Sequence, residues 1–128
     1  MEDNKRFLQL NDIKSYKIAF NLSNYVWDIV IKWDWFAKKH VGGQFVEAVD
    51  SVSANISEGF GRYHKKDKIK FYRYSQGSVN QAVRSGARLM PDDWNEKSKV
   101  RKLLKVEEYQ HIFIELKKLP KELNQLIS

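Results

Sequence analysis

Apolar residues recur at spacings of three and four along most of the chain, and no stretch alternates apolar with polar residues between turn signals. This period is typical of α-helices that turn one face toward a core. Two prolines in 128 residues leave long segments in which a helix can run unbroken. The pattern therefore predicts an all-α protein, with four helices forming a single domain over residues 1–128.

The first predicted helix begins at a cap supplied by Asn11 or Asp12 and runs to about Lys38. Its apolar residues form two stripes. One stripe comprises Ile13, Tyr16, Phe20, Trp27 and Val30, and the other comprises Ala19, Leu22, Val26, Ile29, Trp33 and Phe36. Because a helix with one buried face needs only one broad stripe, the second stripe predicts a further contact surface and favours an oligomer.

The second predicted helix follows a break at Gly42 and Gly43 and ends near Phe60, where Gly59 and Gly61 predict a flexible exit. Its inner face comprises Phe45, Ala48, Val49, Val52, Ile56 and Phe60. At 100° per residue, a polar face lies opposite. This face comprises Gln44, Glu47, Ser51, Asn55 and Glu58.

The third predicted helix begins between Lys65 and Asp67 and runs to about Leu89. Its inner stripe comprises Tyr72, Ser75, Val79, Ala82, Val83, Gly86 and Met90. The sequence Pro91-Asp92-Asp93 is expected to end it, and a loop with at most one helical turn is expected from Trp94 to Leu104.

The fourth predicted helix has the most regular heptad pattern in the chain. The heptad residues are Val106, Tyr109, Phe113, Leu116, Pro120, Leu123 and Ile127. Pro120 is expected to kink or interrupt this helix, because proline removes one backbone hydrogen bond. Since short connections make neighbouring helices antiparallel, the pattern predicts a left-handed bundle with up-down-up-down topology.

The composition excludes several classes of site. The chain has no cysteine, which rules out disulfides, cysteine-based zinc sites and thiol catalysis. His40, His64 and His111 are too widely spaced for a metal-ligand pattern, so we expect them at the surface and expect neither metal nor cofactor. The N-terminal residues lack the apolar core of a secretory signal, and no apolar stretch is long enough to span a membrane. A cytoplasmic protein is predicted.

The net charge of +7 is concentrated in two clusters. The first basic cluster comprises Arg62, Lys65, Lys66, Lys68, Lys70 and Arg73, with Tyr63 among them, and the second comprises Lys97, Lys99, Arg101, Lys102 and Lys105. In an antiparallel bundle the clusters lie at opposite ends, the first beside the termini and the second beside Lys38 and Lys39. They either bind the phosphates of RNA or DNA, with Tyr63 stacking on a base, or are solvated charges that keep the bundle soluble.

Small polar residues suggest a second candidate site. Gly77 is predicted to lie mid-helix, where glycine costs roughly 0.5–1 kcal/mol relative to alanine, so a close approach of the second helix is expected there. The polar face forms either a ligand pocket or a catalytic carboxylate cluster, or else a seam between bundles or hydrogen bonds to neighbouring helix ends. The seam residues are Gln44, Ser51, Asn55, Glu58, Gly77 and Ser78. No nucleophile and base converge in the pattern, so no enzyme is predicted.

One run of residues resembles a known family. The run is Gln44-Phe45-x-x-Ala48-Val49-x-Ser51-Val52-x-Ala54-Asn55-Ile56-x-Glu58-Gly59-x-Gly61-Arg62, followed by Gly77-Ser78. It resembles the 23S rRNA intervening-sequence proteins, which are small bacterial four-helix bundles. Their fold is shared by the accessory variability protein of diversity-generating retroelements. The resemblance implies a ring-shaped homo-oligomer, typically a pentamer, without known catalytic activity.

The retroelement relative binds nucleic acid and a reverse transcriptase through a basic surface, so the resemblance implies RNA, DNA or a nucleic-acid-processing protein as partner. Two positions depart from the family pattern, since Glu47 replaces the usual arginine and Gln81 replaces the usual acidic residue. The paired change indicates compensation. We therefore expect a non-enzymatic oligomer that binds nucleic acid weakly through its basic ends. The alternative is a scaffold that docks a partner enzyme without touching nucleic acid.

Overall fold

The computed structural model describes residues 8–80 and 89–128, and the regular structure within these ranges is entirely helical. A short 3₁₀ turn, Leu10–Asp12, leads into α1. The helices are α1 (Lys14–Val30), α2 (Trp35–Ala37), α3 (Gly43–Phe60), α4 (Lys65–Gly77), α5 (Pro91–Val100) and α6 (Val106–Ile127), with a π-helical turn, Lys38–Gly42, between α2 and α3. The all-α prediction is confirmed. The predictions made for Gln81, Ala82, Val83 and Gly86 concern residues outside the described ranges.

The helices form a bundle around one core. Helix α1 packs against α3 and α6, and α4 packs against the same two helices. Helix α5 also contacts α3 and α6, so α4 and α5 are successive segments against a shared pair of neighbours. The fully buried core side chains include Phe45, Ile56, Ile112, Leu119 and Leu123. Burial of such apolar surface is the main driving force for a bundle of this kind.

Contacts near the helix termini define the two ends of the bundle. At one end, Lys14 in α1 forms an ion pair of 3.4 Å with Glu122 in α6. The last turn of α4 also contacts the C-terminal half of α6, since Gln76 Nε2 donates to Asn124 Oδ1 at 2.6 Å. At the other end, the last turn of α1 lies against the first turn of α3 and beside the α5–α6 connection.

The first helix ends at Val30, eight residues before the predicted end at Lys38. Asp34 starts a new helical turn, because its Oδ1 accepts a hydrogen bond of 2.9 Å from the backbone N–H of Ala37. A short polar side chain offers the backbone an alternative to helix continuation. The predicted N-cap is also wrong. Ile13 occupies that position, while Asp12 accepts from the N–H of Gln9 and caps the preceding 3₁₀ turn.

Gly42 and Gly43 do not break the helix, contrary to the prediction. The chain passes from the π-helical turn into α3 through both residues. Gly42 is buried, and a Cβ atom there would lie 2.5 Å from Cγ1 of Val30. The close contact between the end of α1 and the turn before α3 therefore requires glycine at residue 42. The helical conformation continues through this glycine.

The sequence Pro91-Asp92-Asp93 starts a helix, α5, where a loop was expected to follow it. Asp93 Oδ2 accepts from the N–H of Met90 at 2.8 Å, and Pro91 occupies the first helical position, where its missing N–H costs nothing. The predicted loop from Trp94 to Leu104 is instead largely helical, and its Trp94, Asn95 and Ser98 side chains are buried. Proline and aspartate occur at both kinds of boundary, so the local sequence alone was ambiguous.

Helix α6 presents a different face to the core from the predicted heptad. The buried residues are Ile112, Leu116, Leu119 and Leu123, whereas Phe113 is 41% exposed and Val106 is 72% exposed. The helix also continues through Pro120, so the predicted interruption is wrong. Burial of the leucines on both sides of Pro120 holds the flanking turns and offsets the lost backbone hydrogen bond.

Candidate nucleic-acid interface

The first basic cluster lies where the α3–α4 connection enters α4. Lys65 and Lys66 occupy the first turn of α4, in which Asp67 is the acidic residue. Cations at a helix N-terminus oppose the helix dipole, so these two lysines do not stabilise the helix they begin. Both are exposed, as are Lys70 and Arg73, and Tyr63 is 91% exposed.

Two members of this cluster make structural contacts. Lys68 Nζ donates at 2.9 Å to the backbone carbonyl of Phe60 and so caps the C-terminus of α3. Arg62 donates at 2.6 Å to Glu58 and lies 4.5 Å from the ring centroid of Phe71. Within the described residues, by contrast, Lys65, Lys66 and Arg73 form no ion pair. The cluster therefore divides into anchored cations and cations that project into solvent.

The second basic cluster covers the last turn of α5 and the connection to α6. Lys99 forms an ion pair of 3.7 Å with Glu96 and lies 4.5 Å from the ring centroid of Tyr109. Tyr109 Oη donates at 2.8 Å to the same Glu96, and this hydrogen bond raises the pKa of the phenol, which keeps it a neutral donor. Lys97 is half-buried, whereas Arg101, Lys102 and Lys105 are exposed.

Lys102 has an unusual backbone conformation. Its φ of 59° lies in the left-handed region, just after the helix, and the N–H of Leu103 donates at 2.9 Å to the carbonyl of Ser98. This C-terminal geometry favours glycine, and a lysine there costs about 1–2 kcal/mol. The chain thus carries a lysine at a position where glycine would be less strained.

A groove of about 440 Å³ connects the second basic cluster to the end of α1. It is lined by Tyr25, Asp28, Ile29, Lys32, Trp33, Leu103, Lys105 and Glu108. Burial, with the nearby carboxylates of Glu108 and Glu107, raises the pKa of Tyr25. Lys32, just after the end of α1, therefore adds to the second cluster.

The small polar residues of the predicted seam form hydrogen bonds within the chain. Ser51 Oγ lies 3.0 Å from Ser78 Oγ and joins α3 to α4, while Asn55 Nδ2 donates at 2.9 Å to the carbonyl of Ser51. Gln44 and Glu47 line a separate groove with Ala48, Leu89 and Trp94. The hydrogen bond between Ser51 and Ser78 therefore links α3 to the end of α4.

The prediction for Gly77 is wrong. Gly77 ends α4 and does not lie mid-helix, and a Cβ there would meet nothing within 4 Å. The close approach of α3 and α4 occurs at Gly59, where a Cβ would lie 2.8 Å from the Tyr72 ring and 3.0 Å from the carbonyl oxygen of Lys68. The sequence pattern predicts a flexible exit at Gly59 because its packing partners, Tyr72 and Lys68, lie in the next helix.

The sequence pattern also missed an aromatic pair. Trp35 and Phe36 are 69% and 66% exposed, although Phe36 was placed in an apolar contact stripe and Trp35 in none. The available signal was their position between the capping residue Asp34 and the lysines at 38 and 39. His40, His64 and His111 are exposed, as predicted.

The described residues contain no group of three or more His, Cys, Asp or Glu side chains arranged to hold a metal ion. Among the helices that the structure describes, none is both long enough and apolar enough to cross a bilayer.

Comparison with known proteins identifies the family. The sequence profile of the 23S rRNA-intervening sequence protein matches residues 11–125. The chain belongs to this family. The family match spans every member of both basic clusters and all seam residues, so these features lie within the 23S rRNA-intervening sequence region. A search of curated proteins finds no match to the chain.

Proposed function

We propose that this protein is a non-enzymatic homo-oligomer that binds RNA or DNA, with little sequence specificity, through its two basic clusters. The observation that carries the proposal is the position of Lys65 and Lys66, which are exposed and unpaired at the N-terminus of α4. Charges in that position weaken the helix, whereas they are well placed to displace counterions from phosphates. At the second cluster, Lys102 is an exposed lysine in a left-handed conformation that favours glycine.

The proposed topology is an up-down-up-down bundle, with α4 and α5 together forming its third rod. The contact between Val30 and Gly42, and that between Gly59 and Tyr72, support antiparallel neighbours. In this arrangement the two basic clusters lie at opposite ends. Repeated around a ring, each cluster would form a circle of weak phosphate contacts whose combined affinity exceeds that of any single contact.

Charge reversal tests the proposal. We expect the triple variant Lys65→Glu, Lys66→Glu, Arg73→Glu to bind mixed-sequence RNA and DNA more than about tenfold more weakly at low salt. The slope of log K against log salt should fall by about 2–3, since up to three phosphate contacts are lost. The measurement is fluorescence anisotropy of labelled oligonucleotides across a salt titration.

The matched control is Lys17→Glu, Lys117→Glu, Lys121→Glu, which changes the net charge equally at exposed lysines outside both clusters. The control should retain most of the affinity. An equal loss of affinity in both variants would mean that the net charge, and not the position of the first basic cluster, determines binding. No binding by the wild-type protein at low salt would overturn the proposal in favour of a scaffold that docks a partner enzyme.

The oligomer is proposed from the outer face of α1. Phe20, Trp27 and Ile31 are 45%, 53% and 44% exposed, and the Phe20 ring stacks on Tyr16 at 5.5 Å. Exposed apolar residues that share one helix face indicate a contact surface. We expect the variant Phe20→Glu to have a lower mass by light scattering than the wild type, because a charge would be buried at the interface.

Ile114→Glu serves as the comparison, since Ile114 is 53% exposed on α6. It should leave the mass unchanged. A monomeric wild-type protein at micromolar concentration would contradict the oligomer, and dissociation by Ile114→Glu alone would place the interface on α6.

A further inference from the structure

The pair Trp35 and Phe36, here called the aromatic platform, is presented to solvent by an ordered segment. Asp34 caps the turn through its hydrogen bond of 2.9 Å to the N–H of Ala37. Ala37 and Val41 are buried and anchor the segment to the core. The π-helical turn Lys38–Gly42 follows directly, and such turns are frequent at functional sites. The rings are therefore held in position before any ligand arrives, which lowers the entropic cost of binding.

Each ring of the platform has a basic neighbour. Lys39 Nζ lies 4.8 Å from the centroid of the Trp35 ring, and the His40 ring lies 4.3 Å from that of Phe36. Lys32 and Lys38 are also exposed close by in the chain. The nearest acidic residue in sequence is Asp34, whose carboxylate accepts the capping hydrogen bond. The surroundings of the platform thus combine open aromatic faces with positive charge.

This combination matches one ligand chemistry. An unpaired nucleobase offers a π-face that stacks on an aromatic ring, and its phosphates are attracted to adjacent lysines. The bases of a duplex are stacked on each other and offer no free face to an exposed ring. A purely apolar partner would stack on the rings but would not be attracted by the positive charges of Lys39 and Lys38.

We propose that the aromatic platform stacks unpaired bases, so that the preferred ligand is single-stranded RNA or DNA. This inference rests on the proposed function and adds to it the strandedness of the ligand. It also assigns a role to residues outside both basic clusters. Trp33, two residues before the platform, lines the groove with Lys105. A strand on the platform can therefore continue toward the second basic cluster.

The test compares Trp35→Leu and the double variant Trp35→Leu, Phe36→Leu with Phe113→Leu, which removes another exposed aromatic ring, on α6. The probes are an unstructured oligouridylate and a duplex RNA of the same length. We expect Trp35→Leu to bind oligouridylate about tenfold more weakly, with duplex binding and particle mass unchanged. The double variant should lose more, and Phe113→Leu should bind both probes as the wild type does.

Tryptophan fluorescence provides an independent readout. Oligouridylate should quench the wild-type emission, and Trp35→Leu should lose most of that quenching. Wild-type affinity for oligouridylate in both platform variants, with duplex binding intact, overturns the platform and leaves the proposed function standing. Absence of binding to either probe at low salt overturns both. A changed particle mass in Trp35→Leu would mean that the rings contact a second copy of the chain. Altered binding to anionic vesicles alone would mean that they contact a lipid surface. Either result would overturn the inference.

Discussion

Replacing Leu119 with alanine is expected to lower the free energy of unfolding by about 2–5 kcal/mol. Leu119 is fully buried in α6, so its truncation removes apolar contacts and leaves a cavity that a rigid helix bundle fills only in part. Urea denaturation followed by circular dichroism measures the change. The protein concentration must be held constant, because an oligomer's stability depends on it.

Phe113→Ala is the matched comparison within the same helix. The regular heptad in the sequence places Phe113 in the core, whereas the structure leaves it 41% exposed. We therefore expect a smaller loss, about 1 kcal/mol, in proportion to the area that Phe113 buries. A larger loss for Phe113→Ala than for Leu119→Ala would mean that α6 turns the heptad face inward, contrary to the structure.

Two glycine substitutions are expected to change stability in opposite directions. Gly59→Ala should destabilise the protein by about 1–3 kcal/mol, because the new methyl group would press on the Tyr72 ring and on the backbone carbonyl of Lys68. Gly77→Ala should stabilise it by about 0.4–1 kcal/mol, since a Cβ at Gly77 meets nothing within 4 Å and alanine restricts the unfolded chain. Thermal and urea denaturation report both changes.

Further variants distinguish two roles for Gly59, close packing against α4 and flexibility of the backbone. If flexibility at the end of α3 were the role of Gly59, the loss of stability in Gly59→Ala would be the same whether tyrosine or leucine occupied residue 72. If packing is its role, Tyr72→Leu should recover part of the loss in Gly59→Ala, because it removes the ring that the methyl group meets. A stabilised Gly59→Ala protein would exclude the close approach described here.

The helical class and the inner face of α3 followed from the sequence, because the period of apolar residues is a local property. Helix boundaries were harder to predict. Asp34 and Pro91 each stand at a helix start, although the same residue types also follow helix ends. Choosing between the two roles requires knowing which neighbouring side chains are buried, as Ala37 and Trp94 are. That information comes from contacts between helices.

The basic clusters were visible in the sequence because charge is a property of single residues. Their division into anchored and projecting cations was not visible. Arg62 and Lys68 are held by Glu58, Phe60 and Phe71, and these contacts depend on how the end of α3 meets the start of α4. The aromatic platform was missed for a related reason, since a tryptophan is expected inside a protein unless its environment is known.

The π-helical turn Lys38–Gly42 makes the direction of the aromatic platform depend on chain length. A π-helical turn accommodates one residue more than the same span of α-helix. Each residue rotates a helix by about 100°. A chain one residue shorter in this turn would keep α3 and its core face in place but would swing Trp35 and Phe36 to another side of the bundle. Among homologous chains, an insertion or deletion here would redirect this surface without altering any residue within it.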